Sequence, residues 1–324
     1  MSAGRPGGRE LSREQFRALY DRLRLEPGWG PRDRRGALNY LSPDLVAAAC
    51  RDVRLGRSVS LATPLADTAA PDNPEPVRHE MTAGQPATVP GGEPGAAGPP
   101  QPGLTFATDR FAMNVHGDAD SHLDALCHVI YDGRLYNDVT ATGITEDGAQ
   151  EESVGVAADG IVGRGVLLDI PRLRGLPWLE PGEHVTADDL AGAEAAQGVR
   201  VGRGDLLFVR VGHSRRRVEL GPWDAAASRA GLHPSALDFV ADRQVAVLGS
   251  DSNNDTAPSA AEGVDFPVHV LAVNALGVHL LDYLQFEDLV PFCEMVGRWS
   301  FLCVIAPLRL PGGTGSPVNP IAVV

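Results

Sequence analysis

Apolar positions near the start of the chain recur at helical spacing. Phe16, Leu19, Tyr20 and Leu23 lie on one face of a helix. Ser12 with Gln15 three residues later makes a capping-box pattern at its start. A loop carrying Trp29, Gly30 and Pro31 leads to a second predicted helix, where Ser42 can cap and Pro43 suits the first turn. Ser58 to Leu61 predicts a short strand with Val59 and Leu61 on one face. Further strands are predicted at Gly165 to Ile170, Gly204 to Val211 and Gln244 to Gly249. The last two are near-continuous apolar runs, as in strands buried on both faces. Thr186 with Asp189 starts a helix, and helical stretches are expected around 222–230 and 234–242. A final strand is expected from about Trp299 to Leu310. Strands alternating with helices predict an α/β fold. No internal repeat is present.

Residues 82–103 break this pattern with a dense run of Gly and Pro. Such a run cannot bury enough apolar surface to offset its ordering entropy. Both its ends fall inside what otherwise reads as one domain over 28–324, preceded by an N-terminal helical extension over 1–27. The run is therefore expected to be a surface loop, either a lid or an insertion without function.

A different pattern occupies Val115 to Val129, V-H-G-D-A-D-S-H-L-D-A-L-C-H-V. Side chains of a strand alternate between faces. An extended backbone would put His116, Asp118, Asp120, His122 and Asp124 on one face, with His128 four residues beyond. The opposite positions are mostly small, so the apolar face is weak while the polar face is dense in metal-ligand types. Imidazole mixed with carboxylate and no thiolate suits Zn, Mn or Fe. The other reading is an acidic, solvated surface strand. A second cluster lies near the C-terminus. A helix over about 268–276 followed by a short strand would bring His269 and Asp282 within reach of one site. His279 reads as a satisfied, half-buried histidine. Upstream, Ser250 to Asp255 (S-D-S-N-N-D) follows a predicted strand, where open α/β sheets place ligands; an ordinary Asx-rich turn is the alternative.

Composition narrows the chemistry. The chain has 324 residues, 43% hydrophobic and 22% charged, ordinary for a globular protein with an ample core. Its net charge of −14 argues against a nucleic-acid partner. All 28 basic residues are arginine, so Schiff-base and lysine-nucleophile chemistry are excluded. Cys50, Cys127, Cys293 and Cys303 form no C-x-x-C pair, which predicts free thiols in a reduced compartment. No stretch approaches a membrane span, and a cytoplasmic location is expected. No G-x-S-x-G elbow is present, so a serine nucleophile is a poor competitor.

These residues carry a resemblance. The chain resembles the metal-dependent cyclase/hydrolase superfamily that includes bacterial kynurenine formamidase and isatin hydrolase. The family hallmark is H-x-G-T-H-x-D-x-x-x-H with a distal histidine and an acidic residue. His122, Asp124 and His128 match the second histidine, the aspartate and the last histidine; His269 matches the distal one, and Asp282 stands where the family usually has Glu. Agreement continues through W-G-P-R-D at Trp29, G-A-L-N-Y-L-S-P at Gly36, G-V-L-L-D at Gly165, G-D-L-L-F-V-R at Gly204 and T-G-S-P-V-N-P at Thr314. One departure matters. By spacing, the first histidine falls on Asp118, with His116 two residues earlier. Either Asp118 ligates, tilting the site from zinc toward manganese, or a bulge brings His116 into register.

The resemblance implies a swivelling β/β/α domain with a mixed central sheet, assembled as a homodimer or homotetramer. It implies a divalent cofactor, Zn or Mn, held by Asp118 (or His116), His122, Asp124, His269 and Asp282. It also implies hydrolysis of a small cyclic or aryl amide or lactone, with His128 as general base and then acid; Trp29 is the residue to place against an aromatic substrate, or a core anchor. Ring-forming cyclases of aromatic polyketide type and a non-catalytic binding descendant are the alternative functions.

Overall fold

The computed structural model describes residues 9–25, 28–83, 104 and 106–324. The predicted loop therefore lies, over 84–103, outside the described residues. Ser12 does cap the first helix, Arg13–Leu23: its hydroxyl accepts from the Gln15 N–H at 3.2 Å, and the Gln15 side chain accepts from the Ser12 N–H at 2.9 Å. Phe16, Tyr20 and Leu23 on its inner face are buried. Ser42 caps Pro43–Arg51 and Thr186 with Asp189 caps Ala187–Gln197.

A nine-stranded mixed sheet forms the centre. Its spatial order is Ser58–Ser60, Ile321–Val323, Ser300–Ile305, Ile161–Asp169, Leu206–Arg210, Val247–Ser250, His279–Asp282, His122–Asp124, Gly315–Pro317. The four from Ile161–Asp169 to His279–Asp282 run parallel, and the remaining pairings are antiparallel. Alternate residues feed two cores. Leu207, Val209, Leu248 and Leu280 face one cluster with Phe16, Leu190, Leu237 and Leu271. Leu206, Phe208, Val247 and Leu281 face the other with Phe286 and Phe301. Every residue of Leu206–Arg210 is buried, which is why its sequence is apolar without alternation. Each fully buried Leu or Phe contributes roughly 1.5–3 kcal/mol over exposure.

Several expectations change. No helix forms at 222–230: the helix lies earlier, at His213–Leu220, and ends at Gly221. Arg229 explains the difference, because its guanidinium, not a helical N–H ladder, takes up the carbonyls of Ala225 and Ala226. The last long strand stops at Ile305, before Pro307. The helix after Phe266 winds as Pro267–His269 and then as a π-helix over Val270–Leu276. In the histidine-rich stretch only His122–Asp124 is strand; 115–120 is turn and bend, and Leu126–His128 a 3₁₀ turn. The single five-residue face therefore does not exist. All four cysteines are free, Cys50 exposed and the others buried. No helix among the described residues is long and apolar enough to cross a membrane.

Candidate metal centre

The site forms where the short strand His122–Asp124 pairs antiparallel with the end of His279–Asp282, with Asp282 opposite His122. Residues directly opposite in an antiparallel pair point to the same face. His122, Asp124 and Asp282 thus share one face, and all three are buried. The helical turn Pro267–His269, just before the π-helix, brings the His269 imidazole over them. Its Nε2 lies 3.4 Å from Asp124 Oδ2 and 3.4 Å from Asp282 Oδ2.

Of the two alternatives, Asp118 or His116, it is His116 that reaches the group, by a turn at 115–116 and not by a β-bulge. Its Nδ1 sits 2.8 Å from Asp124 Oδ1 and its Nε2 3.0 Å from Thr314 Oγ1. The neighbouring strand carries glycine at 315, where a Cβ would meet the Leu123 carbonyl oxygen at 2.6 Å and His116 Cε1 at 2.7 Å. Asp118 does not join the group. Its Oδ1 accepts from the Tyr283 hydroxyl at 2.8 Å. Asp120 faces away, accepting from the Ala66 N–H at 3.2 Å.

Two triads result, His116–His122–Asp124 and Asp124–His269–Asp282, each offering one donor atom per residue within 4.8 Å of the others. Asp124 belongs to both. Its Oδ1 faces His116 and His122, and its Oδ2 faces His269 and is buried without a hydrogen-bond partner. An orphaned buried carboxylate oxygen is costly unless something cationic meets it. The remaining groups hold the donors in place. His122 Nδ1 donates to the Asp120 carbonyl at 2.8 Å, which turns Nε2 toward the cluster. His269 Nδ1 lies 2.6 Å from Asp255 Oδ2, with the same effect on its Nε2. Asp282 accepts from Asn253 Nδ2 at 2.6 Å and from the Asn254 N–H at 3.1 Å. Such outer partners fix the ring orientation of metal-binding histidines. The Ser250 to Asp255 stretch therefore serves the site from behind, as an Asx-rich turn that orients ligand-type residues.

Electrostatics agree with a cation-demanding site. Burial pushes the Asp124 carboxyl up, but the His116 and His269 imidazoles beside it outweigh that and hold it well below the usual range. Burial pushes His269 down, yet the Asp282 charge and the Asp124 and Asp255 carboxylates beside it raise it well above an ordinary imidazole. Donor chemistry and a buried Asp124 Oδ2 that makes no hydrogen bond both fit a divalent ion.

His128 belongs to neither triad. It stacks on His116 with ring centroids 3.6 Å apart and planes 5° from parallel, and burial pushes its pKa down to about 4. Trp29 lies elsewhere. It packs edge-on to Tyr40 and lines a cavity of about 300 Å³ with Tyr136, Asn137 and Asn274, none of them a ligand-type residue of the cluster. The aromatic rings beside the cluster are others, which sequence reasoning missed. Phe266 meets His269 edge-on at 5.7 Å, and Tyr283 lies 6.4 Å from His122. Their only sequence signal is adjacency, Phe266 to the helix-starting Pro267 and Tyr283 to Asp282.

A family model described as "Putative cyclase" matches residues 59–254, more than half of the chain. A crystal structure described as a novel cyclase is 30% identical with a TM-score of 0.80, over 94% of this chain and 99% of its own. Isatin hydrolase A from Labrenzia aggregata, bound to benzyl benzoate, is 22% identical with a TM-score of 0.57, over 83% of this chain and 93% of its own. The Ralstonia solanacearum enzyme of the same name is 22% identical with a TM-score of 0.56, over 86% and 95%. No protein of curated function matches. The match over the family's own sequence model, and the fold shared with these structures, make this chain a member of the cyclase family.

Proposed function

We propose that the protein is a metal-dependent hydrolase that cleaves a small cyclic or aryl amide or lactone. The observation that carries this reading is Asp124, shared by two triads, with one buried oxygen that makes no hydrogen bond and meets only the His269 imidazole at 3.4 Å. His116 and His122 would hold a divalent ion, Zn or Mn, on one side of Asp124, and His269 and Asp282 on the other. A divalent ion there lowers the pKa of water toward neutrality and polarises a carbonyl. His128, neutral near pH 7 and outside both triads, takes up the proton from water and returns it to the leaving nitrogen or oxygen. The isatin hydrolases of the same fold favour an aryl amide as substrate.

The 30% identical cyclase favours a second reading, ring closure on a reactive chain with His128 moving protons. Chelator-treated protein, reloaded with Zn or Mn, assayed on cyclic imides, aryl formamides and lactones, separates the two. Metal-restored hydrolysis supports the first. Ring-forming activity that survives the chelator, with no hydrolysis under any loading, overturns it. Sedimentation of the full chain tests the expected dimer or tetramer.

A further inference from the structure

We propose that Arg229 is a positioning residue for one half of the metal centre, the half made by His269 and Asp282; the proposal rests on the metal-site reading above. Arg229 is only 2% exposed, among the largest fully buried side chains of the protein. Its guanidinium bonds to four acceptors. Nε donates to the Asp255 carbonyl at 3.0 Å, Nη1 to the carbonyls of Ala225 at 2.9 Å and Ala226 at 3.2 Å, and Nη2 to Asn253 Oδ1 at 3.4 Å. No carboxylate is among these. A buried charge is expensive, and an apolar side chain of similar volume is often as stable or more so. Packing alone therefore does not account for an arginine here.

Its bonds converge on Asn253 and Asp255, two of the three residues that orient the far ligands; the third, Asn254, donates to Asp282 from its N–H and its side chain. Asn253 Oδ1 accepts from Arg229 and from the Asp255 N–H at 3.0 Å, so its Nδ2 is the end that meets Asp282 Oδ2 at 2.6 Å. With the amide reversed, an oxygen would face the carboxylate, acceptor against acceptor. The Asp255 carbonyl is held by Arg229 Nε, while its carboxylate accepts from the Val268 and His269 N–H groups at 2.7 and 2.9 Å and meets His269 Nδ1. Backbone bonds lock the same turn, Arg229 N–H to the Ala257 carbonyl at 3.0 Å and the reverse at 3.1 Å. The other half of the centre is supported differently. His122 is turned by the Asp120 carbonyl and His116 meets Thr314, with Arg229 in neither bond. One guanidinium thus holds partners of His269 and Asp282 and none of His116 or His122.

The asymmetry gives the test. Histidine imidazole NMR signals of the chelator-stripped full chain are followed during titration with Zn(II), for wild type, Arg229→Met, Arg229→Lys and Asn253→Ala. Loss of an outer partner costs roughly 10–100-fold in metal affinity. The expected result is a His269 response displaced to 10–100-fold higher zinc in Arg229→Met and Asn253→Ala, less in Arg229→Lys, with the His122 response unchanged. A His269 response at wild-type zinc, or equal displacement of both histidines, overturns the proposal. Should Arg229→Met fail to fold by circular dichroism, Arg229→Lys, which keeps a buried cation but not the fork of donors, carries the test. Wild-type signals that ignore zinc sink the metal-site reading itself, an outcome visible before any variant is made.

Discussion

The Tyr283 hydroxyl donates to Asp118 Oδ1 at 2.8 Å, and Tyr283 adopts a left-handed φ of 54° immediately after Asp282. That conformation is strained for a bulky residue. It turns the chain so that one residue faces the cluster and the next holds Asp118 outside it. Asp118→Ala is therefore expected to leave metal affinity within a few-fold of wild type. His116→Ala removes a donor itself and should cost more than the roughly 10–100-fold typical of an outer partner. Calorimetric titration of the two variants with zinc checks this; the opposite ranking would return Asp118 to the ligand set.

In the proposed reaction His128, stacked on His116 and outside both triads, moves protons without holding metal. His128→Ala should lower kcat by about 10²–10⁴ while the bound metal per chain stays at the wild-type value. Parallel loss of metal and rate would make His128 a ligand.

Glu152 is a second titrating group, away from the triads. Its side chain is fully buried, both oxygens lack a hydrogen-bond partner, and Arg34 approaches only to 3.9 Å. Burial pushes its pKa up to about 8 from an ordinary 4.5. Between those values the folded state binds more proton than the unfolded state, so this group's contribution to stability falls as pH rises. Denaturant melts from pH 5 to 9 should show wild type losing stability that Glu152→Gln keeps, by about 4 kcal/mol at most. Parallel curves would mean that the carboxyl finds a partner.

His279 has the opposite sign. It is fully buried with neither ring nitrogen partnered, where the sequence suggests a satisfied, half-buried residue. Burial pushes its pKa down to about 4 from 6.5. The unfolded state then binds more proton between those values, and stability falls as pH drops through that window. His279→Leu removes the unpartnered polar group and should stabilise the protein at pH 7 by about 1–2 kcal/mol, and also flatten the loss below pH 6.5. Thermal melts at pH 7 and pH 5 measure both effects.

Local rules were legible where neighbours in sequence carry the physics. The caps at Ser12, Ser42 and Thr186 depend on a side chain and an amide three residues away, and each forms. The all-apolar strand Leu206–Arg210 announces burial on both faces. His122 and Asp124 could be read as a pair because alternation along three extended residues is enough to align them. The helix expected at 222–230 failed because Arg229 turns inward to bonds that no local pattern encodes.

What the sequence determined by itself is the family resemblance, the α/β order of elements and the residue types from which a metal centre is drawn. Tertiary structure alone decided which of them meet. Asp118 and His116 are two residues apart and chemically plausible alike; Tyr283, 165 positions downstream of Asp118, takes one, and the glycine at 315 makes room for the other. Asp124 acquires its second triad only when strand pairing sets Asp282 opposite His122 and the turn Pro267–His269 brings His269 over both. Spacing fixes contacts across a few bonds, whereas a carboxylate shared by two triads needs three segments packed at once.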